Sequence, residues 1–215
     1  MSVLSVRDAY RLWAPTYAAE TAISFLDEQL ARQMLHDLPC ERLLDAGCGT
    51  GRRLAGMDGA IGVDASAEMV AAGGRANLIV AEIRALPFAS ARFDMVWCRL
   101  VLGHLADPMP AYRELARVCR PGGHVFVTDF HPDAVAAGGR RSFRDQAGQV
   151  HEVEHYVHSD HAALAGRAGL TLVERREASV GPMIRDFYAR AERLALYEKD
   201  RGLKLVAAFL FHRAG

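Results

Sequence analysis

The sequence predicts an α/β fold, and three observations carry that expectation. From about residue 40 onward, apolar runs of strand length alternate with helical segments, the pattern of crossovers that join parallel strands. One of those runs, Leu43-Leu44-Asp45-Ala46, opens directly into Gly47-Cys48-Gly49-Thr50-Gly51, with three glycines at alternate positions. The chain is also of a size to bury one such core unaided, with 215 residues of which 51% are hydrophobic and 24% charged. Its 26 basic and 26 acidic side chains cancel, so it lacks the overall field that draws nucleic acid or anionic membranes, and neither is expected as a partner.

The elements follow in order. Residues 5–36 place Val6, Tyr10 and Trp13, then Ile23, Leu26, Leu30 and Met34, at three- and four-residue spacings broken near Pro15, which predicts two amphipathic helical pieces. Strands are expected at residues 42–46, 60–64, 77–81, 93–98, 124–129, 171–178 and 205–212, seven in all. Helices are expected at 67–72 and 108–119, the second stopped by Pro121-Gly122-Gly123. The connection from Arg52 to Gly59 is short and leaves little room for a first crossover helix. Ile184, Phe187, Tyr188, Ala191, Leu194 and Leu196 recur at helical spacing over 182–200 and read as core packing.

Residues 132–158 break the alternation. A glycine-linked pair of segments, Arg140–Arg144 and Val150–His158, reads as a β-hairpin inserted as a lid on a single domain spanning 1–215, with residues 1–36 as a helical cap. Period two on the second strand puts His151, Val153, His155 and Val157 on one face and Glu152, Glu154, Tyr156 and His158 on the other. That split spreads the histidines and glutamates over two faces, so no metal site is expected, and His155 and Tyr156 become candidate substrate contacts. Cys40, Cys48, Cys98 and Cys119 form no C-x-x-C pair and read as reduced, mostly buried thiols. Arg7 and Asp8 interrupt any signal-like apolar region, and the longest apolar run, Leu205 to Phe211, is far short of the roughly 20 residues that span a bilayer; the expected compartment is the cytoplasm.

The glycine turn carries most of the functional information. Glycines there permit positive φ and close backbone approach to a ligand. The spacing is G-x-G-x-G, whereas a dinucleotide fingerprint needs G-x-G-x-x-G and a P-loop needs a following lysine that is absent here. Downstream, Gly62-Val63-Asp64 ends the next strand with a carboxylate suited to ribose hydroxyls, and Ala81-Glu82-Ile83 ends the one after it. Two carboxylates beside a glycine loop suit a nucleoside of net positive character and suit a diphosphate poorly.

The stretches LLDAGCGTG, GVDASAEMV, EIRALPF, FDMVWCRLVLGHLADP and ARVCRPGG, in that order over residues 43–129, resemble the successive motifs of class I S-adenosylmethionine-dependent methyltransferases of the type 11 family. The resemblance implies a Rossmann-like, doubly wound seven-stranded sheet of order 3-2-1-4-5-7-6 with strand seven antiparallel, and S-adenosylmethionine as cofactor. It implies Asp45, Gly47 and Gly49 against the methionine part, Asp64 on the ribose, Ala65 and Met69 against adenine, and Glu82 with Ile83 at the adenine edge. Glu82 stands where such families more often carry Asp. Arg99 and Leu100 correspond to the sulfonium region, and Tyr10, Trp13 and Tyr17 resemble a Y-x-x-W-A-x-x-Y segment that closes over the cofactor.

His104 follows the fourth strand and His131 leaves the fifth, each a candidate general base and each open to a purely structural role. The pairs Arg140-Arg141 and Arg175-Arg176 are candidate grips for an acidic substrate, with ordinary solvated charge as the plainer reading. The expected activity is methyl transfer to an O, C or N atom of a small molecule. The alternative is a non-catalytic S-adenosylmethionine-binding regulatory module, and glycine spacing disfavours a nicotinamide dehydrogenase. The acceptor and the oligomeric state are left open by the residues.

Overall fold

The computed structural model describes residues 3–215; Met1 and Ser2, the start of the expected cap, lie outside the described residues. The chain runs β1 (Val3–Leu4), α1 (Val6–Trp13), a 3-10 turn over Ala14–Thr16, α2 (Ala22–Leu35), β2 (Leu43–Ala46), β3 (Ile61–Asp64), α3 (Ala67–Gly73), β4 (Leu78–Val80), β5 (Phe93–Arg99), α4 (Met109–Val118) and β6 (Cys119–Phe130). It continues with α5 (Pro132–Ala136), β7 (Ser142–Arg144), β8 (Val150–Val153), α6 (His161–Arg167), β9 (Leu170–Ser179), α7 (Arg185–Arg190), α8 (Leu194–Asp200) and β10 (Lys204–Arg213).

Among the described residues, seven strands form the main sheet in the order β4-β3-β2-β5-β6-β10-β9, with β10 antiparallel to both of its neighbours. Counting only these strands, the order is 3-2-1-4-5-7-6 with the last antiparallel, as the resemblance implied. The short run Leu43–Ala46 is buried along its whole length because helices cover both faces, which is why it reads as a continuous apolar stretch rather than an alternation. One apolar cluster joins α4 and α6 to the sheet through Tyr112, Leu115 and Ala165. The opposite cluster joins α2 through Leu26, Leu30 and Met34. The Arg52–Gly59 connection carries only a 3-10 turn, and Leu54 from that turn packs with Leu26 and Leu30, so α2 fills the space that a longer crossover helix would take.

α1 begins at Ser5, whose side chain accepts from the Asp8 amide at 3.2 Å, and α2 at Thr21, which exchanges capping bonds with Ser24. Pro121-Gly122-Gly123 ends the α4 connection as an irregularity rather than a clean break. Pairing jumps there from Phe93↔Cys119 to Met95↔His124, so three extra residues loop out within β6.

Three expectations need correction. The hairpin is part of a three-stranded sheet, β1-β8-β7, in which the two-residue β1 runs parallel to β8; two residues carry no readable period. Its second strand stops at Val153 instead of continuing to His158, because the following residues bond individually to other elements: the Glu154 amide to the Leu4 carbonyl and the Tyr156 amide to the Gly103 carbonyl at 2.7 Å. The 182–200 segment is a 3-10 turn and two short helices broken at Glu192, which has φ 56; Ile184 and Tyr197 are buried, but Met183, Leu194 and Leu196 are exposed. All four cysteines are free thiols, with Cys40 exposed and the other three buried.

Candidate functional site

The C-terminal ends of β2 to β5 open on a cavity of about 490 Å³, a volume in the ordinary small-ligand range. At its base the glycine turn spends its donors internally. The amides of Gly47 and Cys48 both donate to the Val63 carbonyl (2.8 and 2.9 Å), Gly49 donates to Asp64 Oδ2 (2.8 Å), and Gly51 donates to the Cys48 carbonyl (3.0 Å). A phosphate cradle needs such amides free and pointing outward, and here they tie strand ends together. Gly49, at φ 58, also has no room for a side chain: a Cβ there would lie 2.8 Å from the Tyr17 ring. The cap therefore rests directly on the turn.

Asp64 is fixed by two main-chain donors, Gly49 to Oδ2 and Ser66 to Oδ1 at 2.9 Å, and burial raises its pKa against the pull of those bonds. Asp64 borders the cavity. Glu82 is exposed at the rim beside Arg84, 3.2 Å away, with Ala65 and Ile83 completing that wall. Beneath the turn, Asp45 is fully buried and both its carboxylate oxygens lack a hydrogen-bond partner among the described residues. Burial raises its pKa, opposed by the nearby charges of Arg53 and Arg99.

The opposite wall holds Tyr10 and His104, backed by Arg141, three side chains from distant parts of the sequence. His104 Nδ1 lies 3.1 Å from the Glu154 carbonyl, which can only accept, so Nδ1 carries the proton and Nε2 accepts from the Tyr10 hydroxyl at 2.8 Å. Arg141 in turn donates to the Tyr10 oxygen at 3.1 Å. Burial, reinforced by the Arg141 charge, pushes the His104 pKa down to about 3, and burial pushes Tyr10 up to about 12. His104 is thus a neutral acceptor already engaged by Tyr10, a poor starting point for a strong base.

Of the residues singled out from sequence, Tyr17, Gly47, Asp64, Ala65, Glu82, Ile83, Arg99, His104 and Tyr156 border this cavity. Asp45 and Gly49 do not line it: Asp45 is fully buried and Gly49 packs against the Tyr17 ring. Arg99 borders it with its guanidinium turned away, bonded to Asp27 (2.8 Å) and Glu28 (2.9 Å) on α2. Met69 does not reach it, because its side chain is fully buried on α3. His131 is not at the crevice either: it caps α5, accepting from the Asp133 amide through Nδ1, while Nε2 meets Glu177 at 3.2 Å. His155 turns inward, with Nε2 3.6 Å from Asp129, which also faces His161 at 3.6 Å. Only Tyr156 of the two lid candidates lines the cavity, its hydroxyl donating to Glu154 at 2.6 Å.

Sequence reasoning missed Asp27. It receives Arg53 (3.1 Å), Arg99 and the Thr128 hydroxyl (2.6 Å), and these partners hold its pKa below the ordinary range despite full burial. The signal was available: Asp27 lies four residues after Ile23 and three before Leu30, inside the apolar stripe of α2. Leu100 was also underweighted; it holds φ 60, uncommon for leucine, and lines this cavity and a second one beside it.

Comparison with known proteins places this geometry. Residues 44–127 match the family model described as a methyltransferase domain. Over 143 residues the chain is 33% identical to a malonyl-[acyl-carrier protein] O-methyltransferase of Enterobacter lignolyticus, covering 61% of this chain and 55% of that protein. The chain spans about half the length of the curated relatives it matches. Among solved structures, the [4+2]-cyclase SpnF superposes with a TM-score of 0.67 at 21% identity, covering 97% of this chain and 96% of that one. A Burkholderia thailandensis 1,6-didemethyltoxoflavin-N1-methyltransferase, solved with bound 1,6-didemethyltoxoflavin and S-adenosylhomocysteine, gives a TM-score of 0.59 at 18% identity, covering 97% of this chain and 85% of that one. These structural likenesses establish the shared fold.

Proposed function

We propose, from the match of residues 44–127 to the family model described as a methyltransferase domain, that the chain transfers a methyl group from S-adenosylmethionine to a small-molecule acceptor. The observation that carries this reading is the pairing of a glycine turn whose amides are internally committed with two carboxylates: Asp64, which lines the cavity, and Asp45, whose buried oxygens have no hydrogen-bond partner among the described residues. A cation-bearing nucleoside matches that set; a dinucleotide does not. When bound, S-adenosylmethionine supplies an electrophilic methyl on its sulfonium.

The chain's own residues then have distinct tasks. Asp64, pre-oriented by Gly49 and Ser66, accepts from the ribose hydroxyls, and Ala65, Glu82 and Ile83 form the adenine wall. Gly47 and Gly49 keep the turn low enough for close approach, and Asp45 supplies negative potential beneath it. Tyr10, Tyr17 and Tyr156 cover the opening and exclude water, so that catalysis comes mainly from holding the reacting atoms in line. His104 acts by positioning Tyr10, since its free lone pair is already taken.

Within one domain, residues 3–36 of the cap and the 132–158 insertion serve as the covers of this site. A small molecule is the partner the balanced charge favours over nucleic acid. Among the described residues no helix is long and apolar enough to cross a membrane, and a cytoplasmic setting suits four free cysteines. Calorimetric titration with S-adenosylmethionine and S-adenosylhomocysteine tests the reading, with NAD as control and Asp64→Ala alongside. Binding of both, weakened in the variant and absent with NAD, is expected; binding of neither by folded protein overturns it. Release of S-adenosylhomocysteine with an acceptor separates an enzyme from a non-catalytic binding module.

A further inference from the structure

Arg141 is buried, 9% exposed, and among the described residues no carboxylate pairs with it. Its guanidinium sits over the faces of Phe130 (5.4 Å to the ring centre) and Trp13 (6.0 Å), with one donor on the neutral Tyr10 hydroxyl. Nε is buried and has no partner. A guanidinium is always charged and carries five donors in a planar fork, so most of its bonding capacity here is unused. Stacking on aromatic faces offsets only part of what burying that charge costs. The other buried arginines of the site differ: Arg53 and Arg99 both close on Asp27.

Arg141 borders a second cavity, of about 560 Å³, whose walls include Trp13, Tyr17, Phe130, Phe187 and Tyr188. Tyr17 and Leu100 line this cavity and the first, so the two adjoin at the end of β5. Its charged border is mainly basic, with Arg52, Arg140 and Arg193 facing only Glu20 and Asp200. A flat apolar body would fill these walls, and an acidic group on it would take up the open side of the Arg141 fork.

We propose that this second cavity seats the methyl acceptor and that Arg141 binds an acidic group on it, so that the acceptor is an organic acid with an aromatic body. The assignment of the cavity as an acceptor seat rests on the methyltransferase reading. A bidentate guanidinium–carboxylate contact fixes orientation as well as affinity, which in-line transfer requires. Arg141 also holds the Tyr10 hydroxyl, so seating the acid and closing the cap are mechanically linked through one side chain.

Calorimetry on the full chain saturated with S-adenosylhomocysteine tests this, using 2-naphthoate and its uncharged counterpart 2-naphthamide as probes. The wild type is expected to prefer the acid by about tenfold or more, the scale of one charge-assisted contact. Arg141→Gln should erase that preference while still binding S-adenosylhomocysteine, and Arg141→Lys, which keeps charge without the fork, should retain part of it. Arg176→Gln, at an exposed arginine paired with Glu174, should leave the preference unchanged. Equal affinity for the two probes, no binding of the acid at millimolar concentration, or a preference that survives in Arg141→Gln each overturns the proposal. Failure of folded wild type to bind S-adenosylhomocysteine breaks the underlying methyltransferase reading instead, and the acceptor assignment falls with it.

Discussion

The floor and the wall of the crevice bury arginines in opposite ways. In the floor, Asp27 of α2 receives Arg53, Arg99 and Thr128, a network that balances its charge internally and staples α2 to β5 and β6. In the wall, Arg141 leans on a phenol and two aromatic rings with no counter-charge. The difference separates scaffold from site: a closed network has no bonding capacity left for a ligand, whereas an open one keeps its charge in wait at a cost in stability.

Breaking the floor should have the largest effect. Asp27→Ala leaves the buried Arg53 guanidinium unpaired and Arg99 with Glu28 alone, and breaking a buried pair in this way typically costs about 3–5 kcal/mol. For a chain of this size that lowers the Tm by roughly 6–20 °C. Arg141→Met, by contrast, replaces an unpaired buried charge with an apolar chain and should leave the Tm unchanged or raise it by a few degrees. Parallel thermal melts decide this; equal losses in both variants would erase the distinction between floor and wall.

Two substitutions sharpen the comparison on the cofactor side. Asp64→Ala removes a pre-oriented carboxylate without touching the Asp27 network, and S-adenosylhomocysteine affinity should fall by about 10- to 100-fold with little change in Tm. Gly49→Ala forces a side chain at φ 58 against the Tyr17 ring 2.8 Å away. It should weaken the same ligand by about tenfold, chiefly through faster dissociation as the cap loosens. Calorimetry and stopped-flow dissociation rates read the two effects separately.

What the sequence made legible tracks the range of the contacts. Asp45, the glycine turn and Asp64 lie within consecutive strand–turn units, so local pattern located the cofactor side, and a shared fold supplied the sheet order. The wall joins Tyr10 to His104 across 94 residues and Tyr10 to Arg141 across 131, and no local period encodes such meetings. Even there a trace existed. Burial alternates from Arg141 through Arg144, inward at Arg141 and Phe143 and outward at Ser142 and Arg144, so period two already set Arg141 apart from its neighbour Arg140. His131 and His155 leave elements near the crevice, but they meet Glu177 and Asp129 from other strands and do not line it.

The smallest effect is a pH dependence that reads the two regions apart. The unfolded chain protonates His104 as pH falls past its ordinary value near 6.5, whereas the folded protein resists until about 3, because burial and Arg141 oppose the charge. The unfolded state therefore binds more protons across that window, and stability falls as pH drops from 6.5 toward 3. The floor behaves differently: Asp27, with its pKa held below the usual 3.8, gives up its contribution only at more acid pH. Between pH 7 and pH 5, histidines with lowered pKa contribute to the loss as pH falls, His104 in the wall, His161 beside Asp129 and the half-buried His124, while the raised carboxyls of Asp45 and Asp64 act in the opposite sense. His104→Gln cannot titrate, and denaturant unfolding at the two pH values should show its loss smaller than the wild type's by on the order of 1 kcal/mol. An unchanged loss would mean that the wall opens enough to hydrate His104, and the ordered chain from Arg141 through Tyr10 to His104 would then have to be abandoned.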